Sequence, residues 1–432
     1  MRQPVTRRRF LGTSIGSVGL ALGNGSLARL LAAESKPREK LPIAAVVTVY
    51  NHNSHADVIV GKVLEGWTQE GGPGPDLKLV SLYVDQVASN DLSAGLAKKH
   101  RFLLAKSIRE ALTLGSDSLA VAGVLSIGEH GTYPEVPETQ QVMYPRRRFF
   151  DEIISTFKSC GKVVPVFNDK HLSYAWSDAK QMFDTAREMR IPFMAGSSMP
   201  MMWRKPSTTL PLGSECVEAF ALGCGSLENH GFHALEGLQC QVERRKGGET
   251  GVKSVQALQG DGIRQAEQAG LWSKSLFDAV VAASPTPYSG KLPRPKEMAS
   301  DAVFYLIEYR DGLKATVGMN TGFTHEFSCA VAVKEQEQPF ALTFVAQDGI
   351  PFGHFEHQLR AIEQMLHTGQ PAYPVERTLL TTGILDAALH SLANKSTRLD
   401  TPQLTVAYAP VDWPFPKGNP PPIRNYTSRG EE

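Results

Sequence analysis

Short apolar runs alternate with helix-forming segments along residues 41–195, and this alternation constrains the fold more than any other feature of the chain. A strand buried on both faces reads as a continuous apolar run, whereas an amphipathic helix repeats its apolar residues every three or four positions. Strands that alternate with helices form right-handed βαβ units around a parallel sheet. The predicted strands are 41–50, 77–85, 118–125, 163–167 and 191–195, and the predicted helices are 55–67, 102–112, 150–157 and 179–189.

The pattern changes after residue 200, where the apolar positions alternate with polar ones. A hairpin is predicted from strands 302–310 and 314–319, because Asp311-Gly312 between them is a typical two-residue turn. Further strands are expected at 329–333 and 340–346, and helices at 354–366 and 375–392. We therefore predict an α/β domain with a doubly wound parallel sheet at 41–200. An α+β domain with an open, mainly antiparallel sheet follows at 201–410, and a Pro-rich extended tail at 411–432.

The first 35 residues are predicted to be a twin-arginine signal peptide. Thr6-Arg7-Arg8-Arg9-Phe10-Leu11-Gly12 precedes a weakly apolar stretch of Gly, Ser, Ala and Leu, which is typical of an export signal. The alternative interpretation is a frayed basic terminus. Glycine and serine interrupt the apolar stretch, so we expect no stable membrane span. The signal predicts a periplasmic or secreted protein.

Polar side chains follow the predicted strands of the first domain. In open parallel sheets, ligands bind at the carboxyl ends of the strands. Six of the twelve histidines follow these strands or lie within 229–233, so we predict one shared polar site. The strand-end segments are Asn51-His52-Asn53-Ser54-His55, Asp85, Glu129-His130 and Asn168-Asp169-Lys170-His171.

Two segments of the chain resemble motifs of the Gfo/Idh/MocA oxidoreductases, the superfamily of glucose–fructose oxidoreductase and inositol dehydrogenase. Residues 166–172, with Lys170, are similar to its V-x-x-E-K-P-L strand end. Residues 231–236, with His233, are similar to its G-x-H-x-x-D segment. The resemblance extends over about residues 41–408 and implies a Rossmann domain, NAD or NADP as cofactor, and a sugar or cyclitol substrate.

The resemblance also implies roles for individual residues. Lys170 and His233 would assist proton transfer during hydride transfer, and Asn229 stands at the position of the family's catalytic aspartate. The residues implied to contact the dinucleotide are Asn51, Ser54, His55, Asp85, Glu129 and His130. Family members pair their open sheets, so a homo-oligomer is expected.

A different class of function remains open, because the loop after the first strand has no glycine. Glycine allows the backbone to approach a diphosphate, and Asn51-His52-Asn53-Ser54-His55 offers bulky polar residues instead. The alternative is a metal-dependent sugar lyase, isomerase or hydrolase that holds a divalent metal with histidines. The metal-ligand candidates are His52, His55, His130, His171 and His230. A third possibility is a non-catalytic sugar-binding protein.

Charge and composition restrict the partners. Lysine and arginine number 45 against 44 acidic residues, which gives no electrostatic footprint for nucleic acid. The basic run Arg146-Arg147-Arg148 is interpreted as the solvated start of a helix, with contact to a phosphate or an acidic sugar as the alternative. The expected partner is a small carbohydrate.

Overall fold

Six parallel strands form the first sheet of the protein, seen in a computed structural model that describes residues 39–284, 300–321, 323–347 and 349–423. The predicted signal peptide lies outside the described residues. The strand order is β3-β2-β1-β4-β5-β6, which is the order of Rossmann folds. The strands are β1 (Leu41–Val47), β2 (Leu77–Val84), β3 (Leu103–Ala105), β4 (Gly123–Ile127), β5 (Val166–Asp169) and β6 (Phe193–Gly196). The predicted doubly wound α/β fold is confirmed.

Five helices connect these strands. They are α1 (His55–Glu65), α2 (Ser93–His100), α3 (Ile108–Thr113), α4 (Arg146–Cys160) and α5 (Trp176–Glu188). The prediction of one helix over 102–112 is wrong, because the segment contains the short edge strand β3 before α3 begins. The sequence pattern missed α2, because only Ser93 of that helix is buried and its apolar periodicity is weak.

The second sheet has eight strands in the order β14-β9-β10-β11-β8-β12-β13-β7. Its pairs are antiparallel except for β8 and β11, which run parallel, so the predicted mainly antiparallel sheet is confirmed. The strands are β7 (Trp203–Lys205), β8 (Cys216–Gly223), β9 (Val252–Gln259), β10 (Val303–Tyr309), β11 (Lys314–Met319), β12 (Phe327–Val333), β13 (Phe340–Val345) and β14 (Leu399–Asp400).

Helices pack on both faces of the second sheet. Side chains of α6 (Asn229–Val242) and α10 (Val375–Ala393) share a core with Ala219 and Ala221 of β8. Phe220 and Leu222 point to the opposite face, because side chains alternate along a strand. There they share a separate core with two further helices, α7 (Asp261–Gln268) and α8 (Lys274–Ala283). These helices cover part of the sheet face that would otherwise be available to the sheet of a second subunit. The homo-oligomer stays a prediction.

One late helix of the chain returns to the first sheet. Helix α9 (Gly353–Thr368) packs Phe355, Leu359 and Ile362 into one core with β1 and α1. Residues 411–423 of the predicted tail form no regular element, and Phe415 among them is buried, with the Arg204 guanidinium 4.1 Å from its ring centre. Within the described ranges, no helix is long and apolar enough to cross a membrane.

A buried carboxyl lies where β6 meets α6 and α10. Glu236 accepts hydrogen bonds from the hydroxyls of Thr378 and Thr381 at 3.1 and 2.9 Å. Gly196 ends β6 with φ +125°, and a Cβ atom there would lie 2.8 Å from Glu236 Oε2. Glycine is therefore required at this crossing, both for its backbone conformation and for space.

Glu236→Gln is expected to remove a pH dependence of stability. Burial raises the pKa of Glu236 to about 7, although nearby Arg377 and the two threonines lower it. As pH rises above about 4.5, the unfolded chain ionises this group while the folded chain keeps its proton, so stability falls by on the order of 3 kcal/mol up to pH 7. Thermal unfolding of both proteins at pH 5 and pH 8 measures this loss. A wild-type curve that changes with pH no differently from the Gln variant would contradict the assignment.

Candidate active site

A cluster of charged and polar side chains lies where β1, β4 and β5 end and α6 begins. In a parallel sheet of this order, β1 and β4 flank the point at which the strand order reverses, and ligands bind in the crevice there. Glu129 and His130 follow β4, and Asp169 and Lys170 end and follow β5. The predicted convergence of polar strand ends on one region is thus observed.

Lys170 and His233 form the centre of this cluster. Lys170 Nζ lies 3.0 Å from His233 Nε2, although 63 residues separate them. Burial and then the charge of Lys170 hold the pKa of His233 well below its usual value, so the imidazole is neutral near pH 7. Since charged Lys170 donates to Nε2, the proton of the ring is on Nδ1, which is hydrogen-bonded to Ser197 Oγ.

Glu129 connects Lys170 to Arg146. Its Oε1 lies 3.3 Å from Lys170 Nζ, and its Oε2 accepts a hydrogen bond of 2.8 Å from Arg146. Burial alone would raise the pKa of Glu129, but the positive charge of Lys170 and further groups keeps it well below its usual range. Glu129 is therefore a buried, ionised carboxylate whose position is fixed by two cations.

A second pair, His55 and Asp169, lies beside the first. His55 begins α1, and its Nδ1 lies 2.7 Å from Asp169 Oδ2. The ring of His130 lies 5.4 Å from that of His55, centre to centre. His130 is partly open to solvent, but the protein atoms around its ring exclude enough water to lower its pKa to about 4, and Glu129 only partly offsets this effect. His55, Glu129 and His130, three of the residues implied to contact a dinucleotide, thus lie together.

The loop before α1 is closed by its own side chains. Ser54 caps the helix by accepting from the Asp57 backbone N–H, and Asn51 accepts from the N–H of Ser54 through its carbonyl. The Asp57 carboxylate accepts from the backbone N–H of Asn53 at 3.0 Å. The Asp57 carboxylate therefore already accepts a hydrogen bond from the N–H of Asn53, which would otherwise be available to an anionic ligand at the start of this helix.

Asp85, the residue predicted to hold a ribose, already has three partners. It accepts hydrogen bonds from Tyr83 at 3.0 Å and Tyr133 at 2.8 Å, and it forms an ion pair with Arg148. Burial raises its pKa, but these bonds, with that of Arg148 first, bring it below its usual value. The carboxylate lies at the end of β2 as predicted, where a ribose would have to compete with these partners.

The predicted histidine metal set does not come together. Of the five candidates, only His55 and His130 belong to one potential ligand group, and Glu129 is its third member. His52 pairs with Asp57, His171 accepts from buried Arg146 at 3.0 Å, and His230 bonds Ser226. Asn229 begins α6, one turn before His233.

Two residues of the cluster were not identified as site residues from the sequence. Arg146 is fully buried and links Glu129 to His171, so the interpretation of its basic run as a solvated helix start is wrong at this position. Ser197 follows β6 and orients His233. Nothing distinguishes Ser197 in the sequence, whereas the placement of Arg146 just before an apolar helix face was an available signal.

Comparison with solved structures identifies the fold. The chain is similar to GenD2 from gentamicin A biosynthesis in complex with NAD, with TM-score 0.53 and 13% identity over 85% of this chain and 97% of that one. It is similar to apo scyllo-inositol dehydrogenase of Lactobacillus casei, with TM-score 0.50 and 10% identity over 84% and 98% of the chains.

It is also similar to myo-inositol dehydrogenase of the same organism in complex with NAD(H) and myo-inositol, with TM-score 0.50 and 9% identity over 83% and 96% of the chains. No protein-family model matches the sequence, and no curated protein sequence matches it. The chain therefore shares the fold of these three proteins.

Proposed function

We propose that this protein is an enzyme that acts on a sugar or cyclitol, with Lys170 and His233 as its proton-transfer pair. The observation that carries the proposal is the hydrogen-bonded series Lys170–His233–Ser197 at the carboxyl edge of the parallel sheet. A positioned lysine or histidine that moves a proton of a reacting hydroxyl accelerates such reactions by about 10²–10⁴-fold. The neighbours' inositol substrates support the substrate class.

Lys170 has one N–H group to offer to a substrate. An ammonium group carries three N–H donors, and in the described part of the chain one faces His233 and another faces Glu129. The third can donate to a hydroxyl or carbonyl oxygen of the substrate. When the substrate hydroxyl is oxidised, neutral His233 accepts one ammonium proton of Lys170 at Nε2, and the resulting amine of Lys170 accepts the proton of the hydroxyl. In the reverse direction both protons return, and Ser197 holds the ring in place.

NAD or NADP is the cofactor that the fold and the resemblance predict. It would supply hydride transfer and make the protein an oxidoreductase. The loop between β1 and α1 does not fit the usual diphosphate site. The Asp57 carboxylate already accepts a hydrogen bond from the backbone N–H of Asn53, and no glycine lies between Asn51 and His55.

Mass spectrometry and elemental analysis of material released from the purified, denatured protein test this chemistry. Stoichiometric NAD(H) or NADP(H) would support the oxidoreductase. The diphosphate of the nucleotide would then have to bind without the backbone N–H group that Asp57 occupies. A stoichiometric metal without nucleotide would favour the lyase, isomerase or hydrolase alternative. If neither is released, titration with NADH and NADPH and a screen of sugars and cyclitols separate a weakly held cofactor from a binding protein.

We infer in addition that the protein is exported by the twin-arginine route. The support is the Arg7-Arg8 pair followed by Phe10 and Leu11. The double variant Arg7→Lys/Arg8→Lys is expected to retain the protein in the cytoplasm, whereas Arg2→Lys, outside the motif, is the matched control. Cell fractionation and immunoblotting give the exported fraction. Equal export of both variants would contradict the inference.

A further inference from the structure

We propose that His55, Glu129 and His130 bind one divalent transition-metal ion. One ligand atom from each residue lies within 4.8 Å of the other two. Ligand atoms that bind one ion at about 2.1 Å are roughly 3.0–3.4 Å apart, so small side-chain rotations would bring this group to coordinating distance. The group lies at the crevice between β1 and β4, where this fold binds ligands.

Asp169 holds His55 in the orientation that a metal-ligating histidine has. Such histidines donate their second ring N–H to a carboxylate or carbonyl, which fixes the ring and its tautomer. His55 Nδ1 lies 2.7 Å from Asp169 Oδ2, and the Asp169 side chain is 1% exposed. The bond leaves Nε2 of His55 for the ion. Asp169 is a positioning residue in this proposal.

Glu129 keeps acceptor capacity for an ion although it already bonds two cations. An ionised carboxylate has about four lone-pair sites, of which Lys170 uses one on Oε1 and Arg146 one on Oε2. The two cations fix the carboxylate but also repel a further positive charge. Asp169, behind His55, adds a compensating negative charge. We therefore expect binding in the micromolar rather than the nanomolar range.

His130 is the third ligand of the proposed site and has a left-handed backbone conformation. Its φ is +66°, in the left-handed region that residues other than glycine seldom adopt. Two imidazoles and one carboxylate suit Zn²⁺, Fe²⁺ and similar ions, and they leave coordination positions open for a ligand.

The experiment is isothermal titration of chelator-treated protein, prepared without a polyhistidine tag, with Zn²⁺ alone. About one ion per chain is expected to bind. His130→Ala is expected to weaken binding at least tenfold and keep the fold, because the side chain is exposed. Asp169→Asn should weaken binding by about 10- to 100-fold. His390→Ala, an exposed histidine on α10, is the control and should bind as the wild type does.

Absorption spectra with Co²⁺ in place of Zn²⁺ provide a second readout that reports histidine coordination. Absence of saturable binding to the wild type, or equal affinity in the His130→Ala and His390→Ala variants, would overturn the metal site. The measurement needs no substrate. Loss of metal binding and loss of the proposed Lys170–His233 reaction are therefore separate outcomes.

Discussion

Lys170→Met is expected to reduce turnover by about 10²–10⁴-fold without unfolding the protein. The variant removes the N–H groups that face His233 and Glu129 and the one available to a substrate oxygen. Methionine has a similar length, and Arg146 still pairs with Glu129, so the buried carboxylate keeps one cation. Initial rates should be measured on the sugar or cyclitol that the wild type converts, together with the thermal unfolding midpoint.

Lys180→Met is the matched control. Lys180 lies on α5, where it pairs with Asp184 four residues later, and its side chain is 42% exposed. Its replacement should change neither rate nor stability beyond about 0.5 kcal/mol. His233→Asn tests the other member of the pair and should lose a comparable part of the rate. Full activity in both Lys170→Met and His233→Asn would refute the proposed proton transfer.

The sequence predicted the parallel sheet because its strands are continuous apolar runs, which periodicity detects well. It predicted the hairpin of β10 and β11 because the turn residues Asp311-Gly312 lie between two alternating segments. The strand β3 escaped prediction because three residues at a sheet edge are too short to show a period. Local sequence patterns therefore predicted the strands and helices that are long enough to show a periodicity.

Topology explains which site residues could be predicted. Lys170 and Glu129 follow neighbouring strands of one parallel sheet, so their proximity follows from strand pairing. His52 and His230 contact Asp57 and Ser226, each within five residues. The ring of His230 nevertheless lies 6.1 Å from that of His233, centre to centre, so it borders the cluster as predicted. The contact of Arg146 with Glu129 depends on how α4 packs against the sheet, and no local pattern encodes that packing.

Arg377→Met is expected to lower the free energy of unfolding by about 3–5 kcal/mol, because it leaves a buried charge without its partner. Arg377 lies in the first turn of α10 and forms a bidentate ion pair with Glu243, with distances of 2.8 and 2.5 Å. Both side chains are at most 4% exposed. Tyr408 also donates to Glu243, at 2.8 Å, but one neutral hydroxyl does not replace a guanidinium.

The double variant Arg377→Met/Glu243→Gln separates charge from packing. Glutamine still accepts from Tyr408 and carries no charge, so the double variant should recover a large part of the lost stability, since a neutral replacement of a buried ion pair is often well tolerated. Urea unfolding of the wild type, the single variant and the double variant measures this. A double variant as unstable as Arg377→Met would mean that the arginine acts mainly by packing against Tyr373, whose ring centre lies 4.8 Å from the guanidinium. Because Glu243 caps the end of α6, the helix that carries His233, initial rates of the same three proteins show whether the ion pair also maintains the proposed active site.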